Sequence, residues 1–522
     1  MHQRRVGLVI FFIVFVIGFL TMSRGMITWD EPENYYVGRI YLNILWTRSL
    51  APLRDPNTLR LPQALPFRVD THWERYPPFA ITLASFSSLI WSEWLHLTDS
   101  VSAHHLVVVF FAALAVSATY AFGFELTGSV FLASCAAFIL AGLPLFFGHS
   151  HVNIKDVPQT ALFTLSLWLG VVALKQSARL PYIIAGFFWG LAMATKFNAI
   201  FVPVILGIWH IAQGKLKFSQ KQFERYSMYV IVGIVVLCLF WPWIIINPVR
   251  HLQMIAQYIG EVGRGLPVLF GGVRYAAGVD VPWWYAPSFV ALQTPPVILF
   301  LIIIGTIASI LCRSAKTVRA RSIVFVWIGV VFGRYVVPHM IIYNGARHVM
   351  EVLPAVALLA MFGIQWLLGM SARWMQKRVA QAICIAVILV TLGYPIFRLH
   401  PYEAQYFNMF AGDSKKVSET YDFDYWGFSV GELVAKANSV AKHKDASVYV
   451  EWLNFPREYF PNNRLAFVQS ETEHADFVII PNSRNFFDGA IVYWNTHGKV
   501  ISTVVRNGSV IGYLFATDKN YE

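Results

Sequence analysis

The apolar segment VGLVIFFIVFVIGFLTM, residues 6–22, is followed after a few residues by the acidic stretch TWDEPE, residues 28–33. The apolar segment is close to the ~20 residues that a helix needs to cross a bilayer. His2, Arg4 and Arg5 precede it, and no small-x-small cleavage site follows it. We therefore interpret it as an uncleaved first membrane helix with a cytoplasmic N-terminus, which places the acidic stretch on the outer side.

The composition of the 522-residue chain excludes an ordinary soluble enzyme. Apolar and aromatic residues make up 57% of it and charged residues 13%, whereas a soluble domain carries roughly 25% charged residues. One or two soluble cores cannot bury so much apolar surface. The formal net charge of +12 is explained by basic loops on one side of a membrane rather than by a nucleic-acid partner. The four cysteines lie in or beside apolar runs, so none is placed for an extracytoplasmic disulfide.

Apolar runs of nearly membrane-spanning length recur along the chain. After the first, they cover residues 79–96, 103–124, 127–147, 158–175, 181–195, 197–213, 227–246, 288–311, 322–338, 349–370 and 379–397. Four short connections between them contain two to four Lys or Arg each: residues 175–180, 214–226, 312–321 and 371–378. We expect these four connections to be cytoplasmic.

One apolar run before the first basic loop must fail to cross, because otherwise strongly basic loops would lie outside. The best candidate is residues 79–96, which follow Pro77-Pro78 and contain four serines together with Glu93 and His96. We predict that this run is an interfacial helix on the outer surface. Eleven membrane-spanning helices then remain.

The eleven spans define a membrane part, residues 1–397, and a tail, residues 398–522. The outer segments of the membrane part are residues 23–102, 148–157, 247–287 and 339–348. In the tail, five short β-like runs appear between Asn, Gly and Pro signals: ASVYVEW, RLAFV, DFVII, KVISTVV and VIGYLFA. We predict an α-helical polytopic membrane protein with about eleven transmembrane helices, outer interfacial helices and a small extracytoplasmic α/β domain.

The TWDEPE stretch places three carboxylates at the outer membrane surface. One interpretation is a solvated helix start, with Asp30 at the N-cap and Pro32 in the first turn. The other is a catalytic or metal-binding role, in which Asp30 is the candidate general base and Glu31 supports it.

A second polar cluster lies in the outer string GHSHVNIKDVP. His149, His151 and Asp156 are candidate ligands of a divalent ion such as Mg, Mn or Zn. Glu74, in the first outer segment, is a fourth candidate. The alternative is a local ion pair between Lys155 and Asp156 that caps the next helix.

Basic residues also gather on the predicted outer side. The candidates for binding a phosphate are Arg75, Lys155, Lys196, Arg274, Arg347 and His348. An isolated Lys196 in an apolar stretch is costly, so it faces a cavity or a partner, or else snorkels to the interface. Acidic and basic groups at this depth suit a ligand with an anionic head and a lipid tail. Arg binds phosphate bidentately, so we expect Arg347 and Arg75 to contribute most.

The order of these features resembles the GT-C superfamily of integral-membrane glycosyltransferases. Within it, the chain is similar to the branch that contains protein O-mannosyltransferases and the lipid A aminoarabinose transferase. The shared features are an acidic pair after the first span, a double proline before an interfacial helix, a second acidic outer loop and a closing outer domain. The resemblance covers roughly residues 6–215 and, more loosely, the segments ARHVMEVLPAVALLA and HPYEAQYFN.

This resemblance implies a sugar donor carried on a polyprenyl phosphate and an inverting transfer outside the membrane. Asp30 matches the essential first-loop acid, Glu31 its neighbour, and Asp156 the acid of the second outer loop. Glu74 and Arg75 match an acidic-basic pair before the double proline. Unlike eukaryotic O-mannosyltransferases, the chain has no large luminal insert and no Pro-Pro-Leu-Gly-Lys string, which weakens the case for mannose and for a protein acceptor.

The resemblance implies a polyprenyl-phosphate-sugar-dependent glycosyltransferase, hexosyl or pentosyl, and the residues agree with it, with Asp30 as the base and outer cations at the leaving phosphate. The alternatives are a transporter or flippase of a lipid-linked sugar and a non-catalytic assembly subunit. Transporters place ionisable groups near the bilayer midplane, commonly within repeats, whereas here they lie in loops and no repeat is visible. We expect a bacterial inner membrane with the site facing the periplasm. The sugar and the acceptor, a glycolipid, a glycan or a protein, stay open.

The tail carries an alternating aromatic and acidic string, Tyr421-Asp422-Phe423-Asp424-Tyr425-Trp426. One interpretation is a contact surface for the acceptor. The other is that the string packs the tail onto the membrane part. The sequence pattern is compatible with both.

Cysteine labelling tests the position of residues 79–96. In intact cells, a membrane-impermeant thiol reagent should label the Ser100→Cys variant and not the Glu125→Cys variant, because the helix between these positions crosses the membrane once. Protection of position 100 together with labelling of position 125 would contradict the predicted topology.

Overall fold

A computed structural model describes residues 2–23, 26–53, 55, 58–61, 75–213, 219–444, 446–451, 459–460, 463–468 and 475–518. In chain order its α-helices are α1 (His2–Thr21), α2 (Glu31–Thr47), α3 (Phe79–Ser88), α4 (Ser100–Thr127), α5 (Val130–Gly142), α6 (Pro144–His149), α7 (Asp156–Leu174), α8 (Leu180–Met193), α9 (Phe201–Ala212), α10 (Gln220–Phe240), α11 (Trp243–Ile246), α12 (Pro248–Glu261), α13 (Tyr285–Leu292), α14 (Pro296–Ile310), α15 (Ala315–Gly333), α16 (Leu353–Ser371), α17 (Lys377–Leu399), α18 (Val417–Thr420), α19 (Val430–Val440) and α20 (Arg484–His497). The strands are β1 (Pro267–Phe270), β2 (Val273–Ala276), β3 (Ser447–Val450), β4 (Ala466–Val468), β5 (Phe477–Pro481), β6 (Lys499–Arg506) and β7 (Ser509–Ala516).

Within these ranges, eleven helices coincide with the eleven predicted spans: α1, α4, α5, α7, α8, α9, α10, α14, α15, α16 and α17. By length and apolar composition alone, five helical segments are able to cross a bilayer: Ser100–Thr127, Asp156–Leu174, Gln220–Phe240, Gly345–Ser371 and Lys377–Leu399. The others are shorter or carry charged residues at one end. The apolar helical fold is therefore confirmed, and the number of spans stays a prediction.

The segment predicted to be interfacial forms α3 and a π-helical turn, Leu89–Trp94. At its start, the Phe79 amide donates to the carbonyl oxygen of Ala194, just after α8 (2.8 Å). At its end, Ser92 Oγ lies 3.1 Å from Ser100 Oγ, at the start of α4. The end of α8 and the start of α4 are both on the predicted outer side. The segment thus returns to the side where it began, which agrees with an outer interfacial helix.

The basic loops meet at the opposite end of the helices. The Gln213 side chain donates to the carbonyl oxygen of Arg319 (2.8 Å), which joins the loop after α9 to the start of α15. Lys175 Nζ, after α7, pairs with Glu125 at the end of α4 (2.7 Å). All of these residues belong to connections, or to helix ends, that the charge pattern assigns to the cytoplasm.

Close helix packing in the membrane part depends on small residues. Gly305 on α14 faces the backbone of α16, where a Cβ would overlap the carbonyl oxygen of Leu359. The two helices therefore approach more closely than any larger residue at this position allows. Gly207 on α9, in contrast, has open space where its Cβ would lie.

Alanine substitution should affect stability differently at these two glycines. Gly305→Ala forces α14 away from α16, and we expect it to destabilise the protein by about 1–3 kcal/mol. Gly207→Ala, the matched control, should leave stability unchanged or raise it by up to about 1 kcal/mol, because alanine is the better helix former. Thermal unfolding of both purified variants in detergent measures the difference. Equal melting temperatures would show that the close approach is not required.

All five β-like runs predicted in the tail form strands, and they make one mixed sheet in the order β4-β3-β5-β7-β6. Strands β4, β3 and β5 pair in parallel, whereas β7 pairs antiparallel with both β5 and β6. The remaining strands, β1 and β2, form a hairpin in the outer segment 247–287. The small α/β tail is thus confirmed as a fold.

The core of the tail extends into the membrane part. Met26 and Ile27, which follow α1, are buried in the same apolar cluster as Tyr402, Trp426 and Leu433. The outer end of the helix bundle and the tail therefore share one core, and the functional residues of the outer segments lie at that junction.

Candidate active site

The outer site centres on an ion pair between the first outer segment and the segment before α16. Arg347 Nη1 lies 3.4 Å from Asp30 Oδ2. The Arg347 side chain is 8% exposed and the Asp30 side chain 27% exposed. Asp30 occupies the N-cap position of α2, but its side chain makes no capping hydrogen bond. The acidic start of α2 therefore leaves Asp30 available to the site instead of using it as a cap.

Glu31, rather than Asp30, makes the side-chain hydrogen bonds that stabilise the start of α2. Its Oε1 accepts from the Thr28 amide (2.8 Å) and from the Thr28 hydroxyl (3.1 Å). Its Oε2 accepts from the Tyr35 hydroxyl (3.2 Å) and lies 3.0 Å from His105 Nε2. Both carboxylate oxygens of this buried side chain are engaged, so Glu31 fixes the position of its neighbour Asp30.

Asp156 and Lys196 form a second ion pair at the start of α7. Asp156 Oδ2 also accepts from Asn153 Nδ2 (2.9 Å), and the Asp156 amide donates to Asn153 Oδ1 (2.9 Å). Lys155 does not pair with its neighbour; its Nζ lies 4.6 Å from the ring centre of Tyr76. Lys196 is thus held by a specific carboxylate rather than snorkelling to the interface.

The two ion pairs are neighbours. Asn153 Nδ2 lies 3.9 Å from Sδ of Met350, in the same short segment as Arg347. The charge of Asp156 acts on Arg347 as well as on Lys196. We refer to Asp30, Asp156, Lys196 and Arg347 together as the outer charge cluster.

The two histidines proposed as metal ligands make hydrogen bonds to other protein groups. His149 Nδ1 accepts from Asn153 Nδ2 (3.0 Å), and its Nε2 donates to the Tyr425 hydroxyl (3.1 Å). His151 Nδ1 donates to the carbonyl oxygen of Phe147 (2.8 Å), and its Nε2 lies 2.9 Å from Thr21 Oγ1. Burial lowers the pKa of His149 to about 3 and that of His151 to about 4, so both rings are neutral.

The predicted metal site is not assembled by the described residues. Among them, no group of three or more His, Cys, Asp or Glu side chains lies together as metal ligands do. Asp156, the carboxylate candidate, is already bound by Lys196 and Asn153. Glu74, the fourth candidate, lies outside the described residues.

The remaining predicted cations are divided between the site and the tail. Burial raises the pKa of Tyr258, and the nearby carboxylates of Glu33 and Asp30 raise it further. The charge of Arg75 lowers the same pKa, so Arg75 lies near the tyrosine that Asp30 also faces. The His348 ring packs against Tyr343, with 4.6 Å between ring centres. Arg274 is exposed and pairs with Asp488 on α20 (2.7 Å), so the structure places it against the tail rather than in the outer charge cluster.

Two features of the site were missed by sequence reasoning. Arg334 Nη1 pairs with Glu351 Oε1 (2.7 Å), and both side chains are buried. The rule that singled out Lys196, an isolated charge in an apolar run, also applies to Arg334 and would have found it. The second feature is the contact between the Trp426 indole and Arg347, with 4.4 Å from the ring centre to the guanidinium carbon. The sequence analysis placed Trp426 in the aromatic and acidic string of the tail, but no local signal links it to Arg347.

The aromatic and acidic string of the tail packs onto the membrane part. Asp422 accepts from the Leu269 amide of β1 (2.8 Å) and from the Tyr285 hydroxyl. Asp424 accepts from the Phe428 amide (2.7 Å) and the Ser429 hydroxyl (2.6 Å). The residues from Asp422 to Trp426 are all buried. The packing interpretation is the one that the structure supports, because these side chains present no open surface to an acceptor.

The buried Asp424 predicts a pH-dependent stability. Burial raises the pKa of Asp424 to about 7, although Ser429 and Phe428 donate hydrogen bonds to it. The folded protein thus holds the proton more tightly than the unfolded chain, whose Asp pKa is about 3.9. This contribution to stability is fully present below about pH 4 and is lost as the pH rises towards 7.

We expect Asp424→Asn to remove about 2–4 kcal/mol of this pH dependence between pH 4 and 7. Unfolding midpoints of the purified chain across that range measure it. Asp413→Asn, an exposed tail carboxylate that caps a turn, is the control and should keep the wild-type slope. If Asp424→Asn leaves the change of stability with pH unaltered, the Asp424 carboxyl has the same pKa in the folded and the unfolded chain.

Comparisons with known proteins agree with the fold. Residues 92–246 match the family model described as dolichyl-phosphate-mannose-protein mannosyltransferase. This region includes Asp156 and Lys196 but neither Asp30 nor Arg347. No curated protein sequence matches the chain.

Two solved structures resemble the whole chain. One is the crystal structure of ArnT from Cupriavidus metallidurans bound to undecaprenyl phosphate: 12% identity, 98% of this chain and 98% of that chain covered, TM-score 0.54. The other is the cryo-EM structure of the arabinofuranosyltransferase AftD from Mycobacteria: 13% identity, TM-score 0.45, 99% of this chain but only 40% of that chain covered. The likeness to ArnT extends over nearly the full length of both chains and confirms the predicted fold class.

Proposed function

We propose that this chain, a member of the GT-C superfamily of integral-membrane glycosyltransferases by its fold, transfers a sugar from a polyprenyl-phosphate donor to an acceptor hydroxyl with inversion. The description of the matched family supports a lipid-phosphate sugar donor. The structure of ArnT holds undecaprenyl phosphate, a lipid of the same chemical class.

The observation that carries the proposal is the partly exposed carboxylate of Asp30 beside the buried guanidinium of Arg347. Glu31 and Asp156 have their oxygens occupied by other side chains, whereas Asp30 contacts only Arg347, at 3.4 Å, among the hydrogen bonds described for its side chain. A general base must be accessible to the hydroxyl whose proton it takes. A phosphate leaving group needs a fixed cation, and Arg347 supplies one.

The chemical step uses these two groups in turn. The acceptor oxygen attacks the anomeric carbon of the donor sugar while Asp30 takes the hydroxyl proton. The bond between the anomeric carbon and the phosphate oxygen breaks, and its electron pair leaves with the polyprenyl phosphate. Arg347, with Lys196 and Arg75 nearby in the proposal, stabilises the charge that develops on that phosphate. A single displacement from the opposite face inverts the anomeric configuration.

Apolar cavities beside α3 suit the hydrocarbon tail of such a donor. One, of about 810 Å³, is lined by α1, α3 and α4, and includes Phe19, Leu83 and Phe110. The other, of about 280 Å³, lies between α2, α3 and α10. Their linings are mostly apolar, as a hydrocarbon chain requires. We propose that the polyprenyl chain lies here, in a bacterial inner membrane, with the site facing the periplasm.

Replacement of the base tests the proposal. Asp30→Asn keeps the shape and removes the charge, so transfer from a polyprenyl-phosphate sugar should fall by about 10²–10⁴ while donor binding stays near normal. Glu31→Gln should cost less, because Glu31 positions Asp30 without touching the substrate. Asp413→Asn is the control and should retain wild-type turnover.

Mass spectrometry of lipid-linked sugars and surface glycans, in cells with and without each variant, identifies the donor that accumulates and the product that disappears. Wild-type turnover in purified Asp30→Asn protein would remove Asp30 as the base and leave Asp156 as the next carboxylate to test.

A further inference from the structure

Arg347 is held between the membrane part and the tail. On one side it faces Asp30, at 3.4 Å. On another its guanidinium carbon lies 4.4 Å from the ring centre of Trp426, which is 2% exposed and belongs to the tail. The carbonyl oxygen of Trp426 in turn accepts from the Trp29 amide (3.3 Å), next to Asp30. Through Trp426 the tail thus contacts Arg347 and the backbone of Trp29, the residue that precedes Asp30.

The turn that leads into Arg347 is also held by the tail. Asn344 and Gly345 both have left-handed backbone conformations, with φ of 55° and 64°. Gly and Asn are the residues that adopt this conformation at the least cost, so the chain is able to turn sharply just before Arg347. The Gly345 amide donates to the Tyr285 hydroxyl (2.8 Å), and that hydroxyl donates to Asp422 of the tail.

We propose that the tail sets the position of the site cation: Asp422, acting through Tyr285, fixes the turn before Arg347, and Trp426 fixes the guanidinium itself. These three are positioning residues, since none of them needs to touch the donor. The inference rests on the proposed function, in which Arg347 binds the donor phosphate. It assigns the tail a role in donor recognition, which neither interpretation of its aromatic and acidic string included.

The physical reason is conformational entropy. A free Arg side chain loses much of its rotamer freedom when it is fixed. A cation–π contact with a buried ring and a fixed backbone turn impose that order before the donor arrives. The phosphate then meets a guanidinium whose orientation is already set, which is the condition for bidentate binding.

A double-mutant cycle on the full chain tests the inference. Binding of a short-chain polyprenyl phosphate is measured for Trp426→Leu and Tyr285→Phe, each alone and in an Arg347→Ala background. If both residues act through Arg347, each single variant should weaken binding by about 5–20-fold, and neither should weaken it further once Arg347 is absent. Trp426→Phe keeps an aromatic ring under the guanidinium and should recover most of the affinity.

Asp424→Asn is the matched control from the same tail string, because Asp424 bonds Phe428 and Ser429 within the tail. It should change stability and keep donor affinity within about twofold. If Trp426→Leu and Tyr285→Phe lower affinity as much without Arg347 as with it, or leave the wild-type affinity unchanged, the positioning role is overturned. If Arg347→Ala alone leaves affinity unchanged, the phosphate does not bind there, and that part of the proposed function fails together with the inference.

Discussion

The contact between the Arg347 guanidinium and the Asp30 carboxylate organises the outer end of this protein. It is one of several charge pairs at that end, and three of them surround the site: Arg347 with Asp30, Lys196 with Asp156, and Arg334 with Glu351. An unpaired charge at this depth is strongly unfavourable. Because each pair joins two different helices or segments, pairing the charges also fixes how these elements meet.

The three pairs are not equivalent. Arg334 and Glu351 are both buried at 2.7 Å, whereas Asp30 and Arg347 are 3.4 Å apart and the carboxylate is partly exposed. In the proposed mechanism, the looser and more exposed pair is therefore the one that meets the incoming donor phosphate. The tighter pair of Arg334 and Glu351 is buried between its helices.

The apolar helices and the tail strands were predictable, because hydrophobic run length and alternation depend on local sequence. Which charged side chains pair with one another was not predictable. Asp156 pairs with Lys196, forty residues away, instead of its neighbour Lys155, because α7 and α8 bring those ends together. Arg274 fits the same chemical pattern as Arg347, yet it pairs with Asp488 of the tail rather than with a carboxylate of the outer charge cluster. Arg274 reaches the tail because the tail packs on the hairpin β1–β2, and no local sequence pattern predicts that packing.

The shared core of the tail and the first outer segment has a consequence for folding. Met26 and Ile27 are buried in the same apolar cluster as Tyr402 and Trp426, which lie far downstream in the sequence. Bringing such distant residues together costs loop-closure entropy before their contacts stabilise the structure. Until the tail has packed, the apolar residues of the segment that carries Asp30 stay uncovered. The ordering of that segment is therefore coupled to the folding of the tail.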